Sequence, residues 1–130
     1  MVGSRKASGY GLAQARRIAA DLAGSGMTIV SGLAFGIDAA SHEGALEAKG
    51  LTIAVSGAGC DQVYPKRHWR LAERISDSGL ILSEFPTSTS AYPGNFPRRN
   101  RIVTGLCSGT LVVEAATKSG SLISAKLVAA

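Results

Sequence analysis

Short apolar runs punctuated by glycine alternate along this chain with stretches of helical periodicity, and that alternation restricts the possible folds most. Met27-Thr28-Ile29-Val30-Ser31 lies between Gly26 and Gly32, and Leu51-Thr52-Ile53-Ala54-Val55 is a second such run. Leu80-Ile81-Leu82-Ser83 enters after Gly79, and Thr110-Leu111-Val112-Val113 is the last. Between and before them, Leu12, Ala15, Ile18, Ala19 and Leu22 recur at helical spacing, with Gln14, Arg16, Arg17 and Asp21 largely on the other face. Further helices are expected over 37–49, over roughly 67–77, through an arginine-rich segment ending near Cys107, and from about Ser121 to the end. Strand followed by helix throughout predicts right-handed βαβ units and a mainly parallel, doubly wound α/β sheet (Rossmann-like, three layers).

Composition agrees. The chain is 45% hydrophobic but only 5% aromatic and holds 16 glycines, which suits close-packed helices on a sheet better than an aromatic-rich sandwich. Its 130 residues are expected to form one domain, 1–130. Met1-Val2 reads as the stub of a first strand, and the last helix meets no closing strand, so a fragment of a larger protein is expected. Cys60 and Cys107 form no C-x-x-C pair and read as buried or semi-buried thiols, no signal peptide opens the chain, and no apolar run approaches a membrane span; a cytoplasmic protein is expected. In a strand order of 3-2-1-4-5, a ligand would lie in the crevice between strands one and four.

The chemistry gathers in basic segments. Phe96-Pro97-Arg98-Arg99-Asn100-Arg101-Ile102-Val103 reads as a helix opening, with Pro97 in the first turn and three arginines crowding it without an acidic neighbour. A helix N-terminus carries partial positive charge, so cations there are costly unless an anion joins them. Guanidinium forks and free N–H groups together suit phosphate oxygens. Pro65-Lys66-Arg67 repeats the pattern. After the first strand, Gly3, Gly9 and Gly11 permit tight turns, Ser4 and Ser8 offer hydroxyls, and Arg5 supplies a forked donor. Gly32 and Gly36 would let backbone N–H groups approach an anion, and Phe35 could stack on a base. Tyr64, Tyr92 and Phe96 interleave with the basic residues, a combination suited to single-stranded nucleic acid. Each feature has a plainer alternative: Phe35 and Phe96 as core packing, Arg16, Arg17, Lys66, Arg67 and Arg70 as solvated helix faces, and the arginine cluster as partners of Glu84 or Glu114. The net charge of +5 and pI near 9.6 favour acidic partners.

Catalysis finds little support. His42 and His68 show no metal-ligand spacing and read as surface or helix-cap residues. No nucleophile elbow or Walker loop is present. Glu114, just after a strand, is the one candidate acid, and Asp38 reads as a cap or a ribose contact.

These residues resemble the DprA/Smf family of bacterial DNA-processing proteins. The resemblance rests on Gly3-Ser4-Arg5 with Ser8-Gly9-Tyr10-Gly11, on Val30 to Ala34 with Gly36 to His42, and on Tyr64-Pro65 and Ser83-Glu84. It continues through Phe96 to Ile102, Val113-Glu114-Ala115 and Ser119 to Ile123. It implies an extended Rossmann domain that binds single-stranded DNA without cofactor, metal or catalysis, protects incoming DNA in natural transformation, helps load the RecA recombinase and acts as a homodimer. Carried over, the phosphate-contacting positions are Arg5, Lys66, Arg98, Arg99 and Arg101, with Gly32 and Gly36 nearby. His68 departs from the pattern, where an Asn is expected. Gly109-Thr110 and Glu114 also look like the related Lonely Guy phosphoribohydrolases, which cleave nucleotide N-glycosidic bonds. Leu106-Cys107-Ser108, standing where Pro-Gly-Gly would be expected, counts against that nucleotide-binding enzyme reading.

Overall fold

The computed structural model describes residues 1–115 and residue 126, and within them the expected alternation is present. The strands are β1 (Val2–Gly3), β2 (Ile29–Ser31), β3 (Thr52–Val55), β4 (Leu80–Leu82) and β5 (Val112–Val113). The helices are α1 (Gly9–Gly24), α2 (Ile37–Glu47), α3 (Trp69–Ser78), preceded by a 3₁₀ turn at Lys66–His68, and α4 (Asn95–Gly105). The helix expected from Ser121 lies outside the described residues. No helix among the described residues is long and apolar enough to cross a membrane.

All strand pairs are parallel, but their order differs from the expected 3-2-1-4-5. β4 pairs with β3, not β1, giving β2-β3-β4, and β5 takes the place beside β1. Met1 joins the two groups: its ammonium donates to the Val30 carbonyl at 2.6 Å, and the Ser31 hydroxyl donates to the Met1 carbonyl at 2.6 Å. The strands thus run in one direction, and the order of their addition reverses at β1, with β2, β3 and β4 to one side and β5 to the other. Apolar runs reveal where strands lie, but the choice of neighbour depends on which face each crossover helix covers.

That choice is visible in the core. Ile29 meets Ala15, Ala19, Ala23, Ile37 and Ala45 of α1 and α2, while Ala54 meets Leu71, Ala72 and Ile75 of α3. The alternate residues Val30 and Val55 turn to the other face, where Val2 and Val103 of α4 pack on them. Successive strand residues point to opposite sides, so both faces are buried and the strands read as continuous apolar runs. Alanine dominates the α1–α2 seam, which brings the two helices close.

Two sequence expectations fail here. Cys60 is exposed, although both cysteines read as at least half-buried thiols. His42, expected at the surface, is fully buried on α2. The Thr52 hydroxyl donates to the Ile29 carbonyl at 2.8 Å, so it must accept from His42 Nδ1–H at 2.7 Å. Nε2 is then the unprotonated nitrogen, and among the described residues it is buried without a partner. Burial, reinforced by the nearby positive charges of the N-terminus, His68 and Arg99, pushes the His42 pKa from 6.5 to about 3. In the unfolded chain the imidazole takes its proton first, so its stabilising contribution is complete above pH 6.5 and is lost as pH falls toward 3. Asp38, whose pKa burial raises, works in the opposite direction. We therefore expect urea unfolding at stepped pH to show a steeper loss of stability for the wild type than for His42→Asn, by up to about 1.4 kcal/mol per pH unit. Parallel curves would show that His42 does not carry the effect.

Candidate functional site

The carboxyl ends of β1, β2 and β3 open onto a recess lined by Arg5, Gly32, Ala34, Phe35, Tyr64, Pro65, Phe96 and Arg99. Four separate segments supply these residues: the loop after β1, the loop after β2, the turn before α3, and the first two turns of α4. Phe96 sits at the centre. The guanidinium carbons of Arg5 and Arg99 lie 5.4 and 5.5 Å from its ring centroid, and the Tyr64 ring is 5.4 Å away. A ring bracketed by two cations is held by their attraction to its negative faces.

Arg99 is the most constrained of the group, being only 4% exposed. Its Nη1 donates to the carbonyls of Gly32 and Val55, both at 2.7 Å, and Nε donates to Asn100 Oδ1 at 3.1 Å. The side chain thereby ties the ends of β2 and β3 to α4. Gly32 makes this possible, because a Cβ there would stand 2.7 Å from the guanidinium carbon. On the far side of the same turn, the buried Asp38 carboxylate accepts from the N–H groups of Gly32 and Ala34 at 3.0 and 3.4 Å. Burial lowers the Arg99 pKa, with Asp38 opposing that shift and Arg5 adding to it. Asp38, expected as a cap or a ribose contact, instead braces the loop between β2 and α2; the N-cap position of α2 is Gly36, which makes no side-chain capping bond. Gly36 begins α2 at φ 78°, with its backbone against the Ser4 carbonyl, a conformation and an approach that suit glycine.

The arginine helix starts two residues before Pro97, so Arg98 closes its first turn and Arg99 and Arg101 lie in the second rather than all three crowding the first. Each meets a different environment. Arg99 is buried. Arg101 forms an ion pair with Glu84, one of the anticipated carboxylate partners. Arg98 is exposed, its guanidinium carbon 5.6 Å from the Phe85 ring centroid. Lys66 and Arg67 are exposed on the 3₁₀ turn. Among the described residues, Arg5, Lys66, Arg67 and Arg98 have no carboxylate partner.

The loop after β1 divides its duties. Gly3 pairs with Val113, and Ser4 is held on both sides: its N–H donates to the Glu114 carbonyl at 2.7 Å, and its carbonyl accepts from Ile37 N–H at 3.2 Å. Ser8 caps α1, its hydroxyl accepting from Gly11 N–H at 3.0 Å. That hydroxyl also donates to Glu114 Oε1, and the Ser8 N–H donates to Oε2 at 2.8 Å. A carboxylate of this chain therefore occupies the start of α1, where an anion is favoured. The two Ser8 hydrogen bonds hold Glu114 below the usual carboxylate range, opposite to what a general acid requires. No sequence signal distinguished this capping role from a catalytic one, since the partners are more than a hundred residues apart. Phe35 is 44% exposed and meets His68 in an edge-on contact at 5.0 Å. His68 Nδ1 donates to the Leu33 carbonyl at 2.8 Å. Tyr64, read from the sequence as one of several interleaved aromatics, proves to be a wall of the recess.

Comparison with known proteins gives a match to the family described as DNA recombination-mediator protein A over residues 1–130. The protein Smf of Synechocystis is 50% identical over 126 residues, covering 97% of this chain and 32% of that protein. The DNA processing protein DprA of Bacillus subtilis is 41% identical over 125 residues, covering 96% of this chain and 42% of that one. The solved structure of DprA from Streptococcus pneumoniae superimposes with a TM-score of 0.89 at 41% identity, covering 98% of this chain and 46% of the other. DNA processing protein A from Helicobacter pylori, whose structure concerns a single-stranded DNA binding mode, also gives 0.89, at 35% identity and with 97% and 59% covered. The chain thus spans less than half the length of the Synechocystis and Bacillus subtilis relatives.

The two arginines side by side on α4 should behave differently in stability measurements. Arg99→Ala leaves two strand-end carbonyls without their donor and Asp38 without its nearby cation. It should cost about 2–4 kcal/mol in urea unfolding. Arg98→Ala should stay within about 0.5 kcal/mol of wild type. Equal losses at the two positions would contradict the tie between β2, β3 and α4.

Proposed function

The chain belongs to the DNA recombination-mediator protein A family, and from that premise we propose that it binds single-stranded DNA at the recess around Phe96. The observation that carries this reading is the placement of Arg5, Lys66, Arg67 and Arg98. They are exposed and lack a carboxylate partner among the described residues; Arg5 lines the aromatic recess at the carboxyl ends of parallel strands, Lys66 and Arg67 directly follow its wall residue Pro65, and Arg98 precedes its floor residue Arg99 on α4. Exposed cations suit a phosphate chain, and exposed faces of Phe35 and Tyr64 suit unpaired bases, whose π-faces are alike whatever the sequence. Arg99 contributes by positioning: it supports Phe96 from below and sets the two loops that form the walls. Gly32 and Gly36 allow those loops to pass closely. Arg101, joined to Glu84, contributes less to phosphate binding than Arg98.

In the whole protein we infer a role in DNA processing during natural transformation, with loading of RecA onto incoming strands, a homodimeric assembly and a cytoplasmic location. Family membership and the DNA-processing relatives support that wider role. Binding and protection of the strand, without chemical change to it, accord with a Glu114 that serves as a helix cap.

Fluorescence anisotropy with labelled oligo-dT and mixed-sequence oligomers tests the proposal. Affinity should fall with salt, with a log–log slope of about −0.7 for each phosphate neutralised. Arg5→Ala and Arg98→Ala should each reduce that slope by about 0.7 and weaken all sequences by a similar factor. A salt-insensitive affinity, or a double variant that binds as wild type does, rules out the recess as the phosphate site.

A further inference from the structure

Trp69 is the only tryptophan in the chain, and the core does not use it. It opens α3 with 52% of its surface exposed, whereas the buried face of that helix is built from Leu71, Ala72 and Ile75. The guanidinium carbon of Arg70 lies 5.1 Å from the indole ring centroid, extending the planar surface with a cation. Lys66 and Arg67 precede it in the 3₁₀ turn, and among the described residues neither they nor Arg70 has a carboxylate partner. This surface continues the recess. Pro65 lines the recess, His68 meets Phe35 edge-on, and Trp69 follows within one helical turn, roughly 6–8 Å along the axis from Pro65.

Resting on the DNA-binding reading above, the geometry points to a second base-stacking site at Trp69 and Arg70, which takes a flanking nucleotide of the strand held at the recess. An exposed indole backed by a guanidinium offers a flat apolar face for a base, and the cations at 66 and 67 lie where the connecting phosphates must pass. The site is independent of sequence, since every base has a face to stack. Its occupant is the continuation of the same strand, because the exposed cations Lys66 and Arg67 lie between the recess residue Pro65 and the indole.

The test uses two oligo-dT lengths, about four and about sixteen nucleotides, with oligomer anisotropy and Trp69 emission read in the same titration. Both oligomers should bind, but only the longer should quench the single tryptophan. Trp69→Ala should weaken the longer oligomer about 5- to 50-fold and leave the shorter within about twofold, while Trp69→Phe should recover most of the loss. Two outcomes overturn the second site and leave the recess standing. One is binding of both lengths with unchanged emission and a Trp69→Ala variant of full affinity; the other is equal quenching by the two lengths. If neither oligomer binds, the reading of the recess fails first and the second site falls with it. A protein partner at this face would show as emission changed by that protein and not by DNA, which also overturns the inference.

Discussion

The buried guanidinium of Arg99 is the contact on which the arrangement of the loops around the recess depends. A parallel sheet ends in carbonyls that the ladder no longer satisfies, and at the ends of β2 and β3 one side chain from α4 accepts that task for Gly32 and Val55. Removing a cation from water is expensive, and the expense is tolerable only because its donors are used and Asp38 lies across the same turn. The consequence reaches Phe96. Its ring rests over Arg99, and that support gives Arg5 and Tyr64 a fixed surface to meet.

A division of charge follows. Cations and anions that could have served a ligand are partly used to build the fold: Glu114 closes the start of α1, Glu84 engages Arg101, and Asp38 faces inward. Among the positive groups left at the surface, Arg5 lies on the loop after β1, Lys66 and Arg67 on the turn before α3, and Arg98 on α4. The surface assembled this way has an aromatic centre backed by the buried Arg99 and an exposed cationic rim.

Much of the architecture was readable from pattern. Apolar runs of four or five residues beside glycine identified β2 to β5, and helical spacing identified α1, because burial on both faces of a parallel sheet leaves that signature. The arginines near Phe96 and the cations after Pro65 were likewise visible as local anomalies of charge. Their roles were not. Arg98, Arg99 and Arg101 are alike in sequence, yet one is exposed, one is buried and one is ion-paired. Helical geometry rotates neighbouring positions by about a hundred degrees, and only the packed helix shows which direction faces the sheet. Glu114 is a similar case, since its partner Ser8 lies at the other end of the described chain.

Periodicity and residue chemistry, which are local properties, therefore determined the α/β class, the positions of the strands and the supply of cations and aromatics. Tertiary structure decided the order β2-β3-β4 with β1 beside β5, the burial of His42, and the separation of structural charges from free ones. These outcomes depend on which helix covers which face and on which side chain reaches which carbonyl. Such distances arise between segments remote in sequence, and no local pattern encodes them.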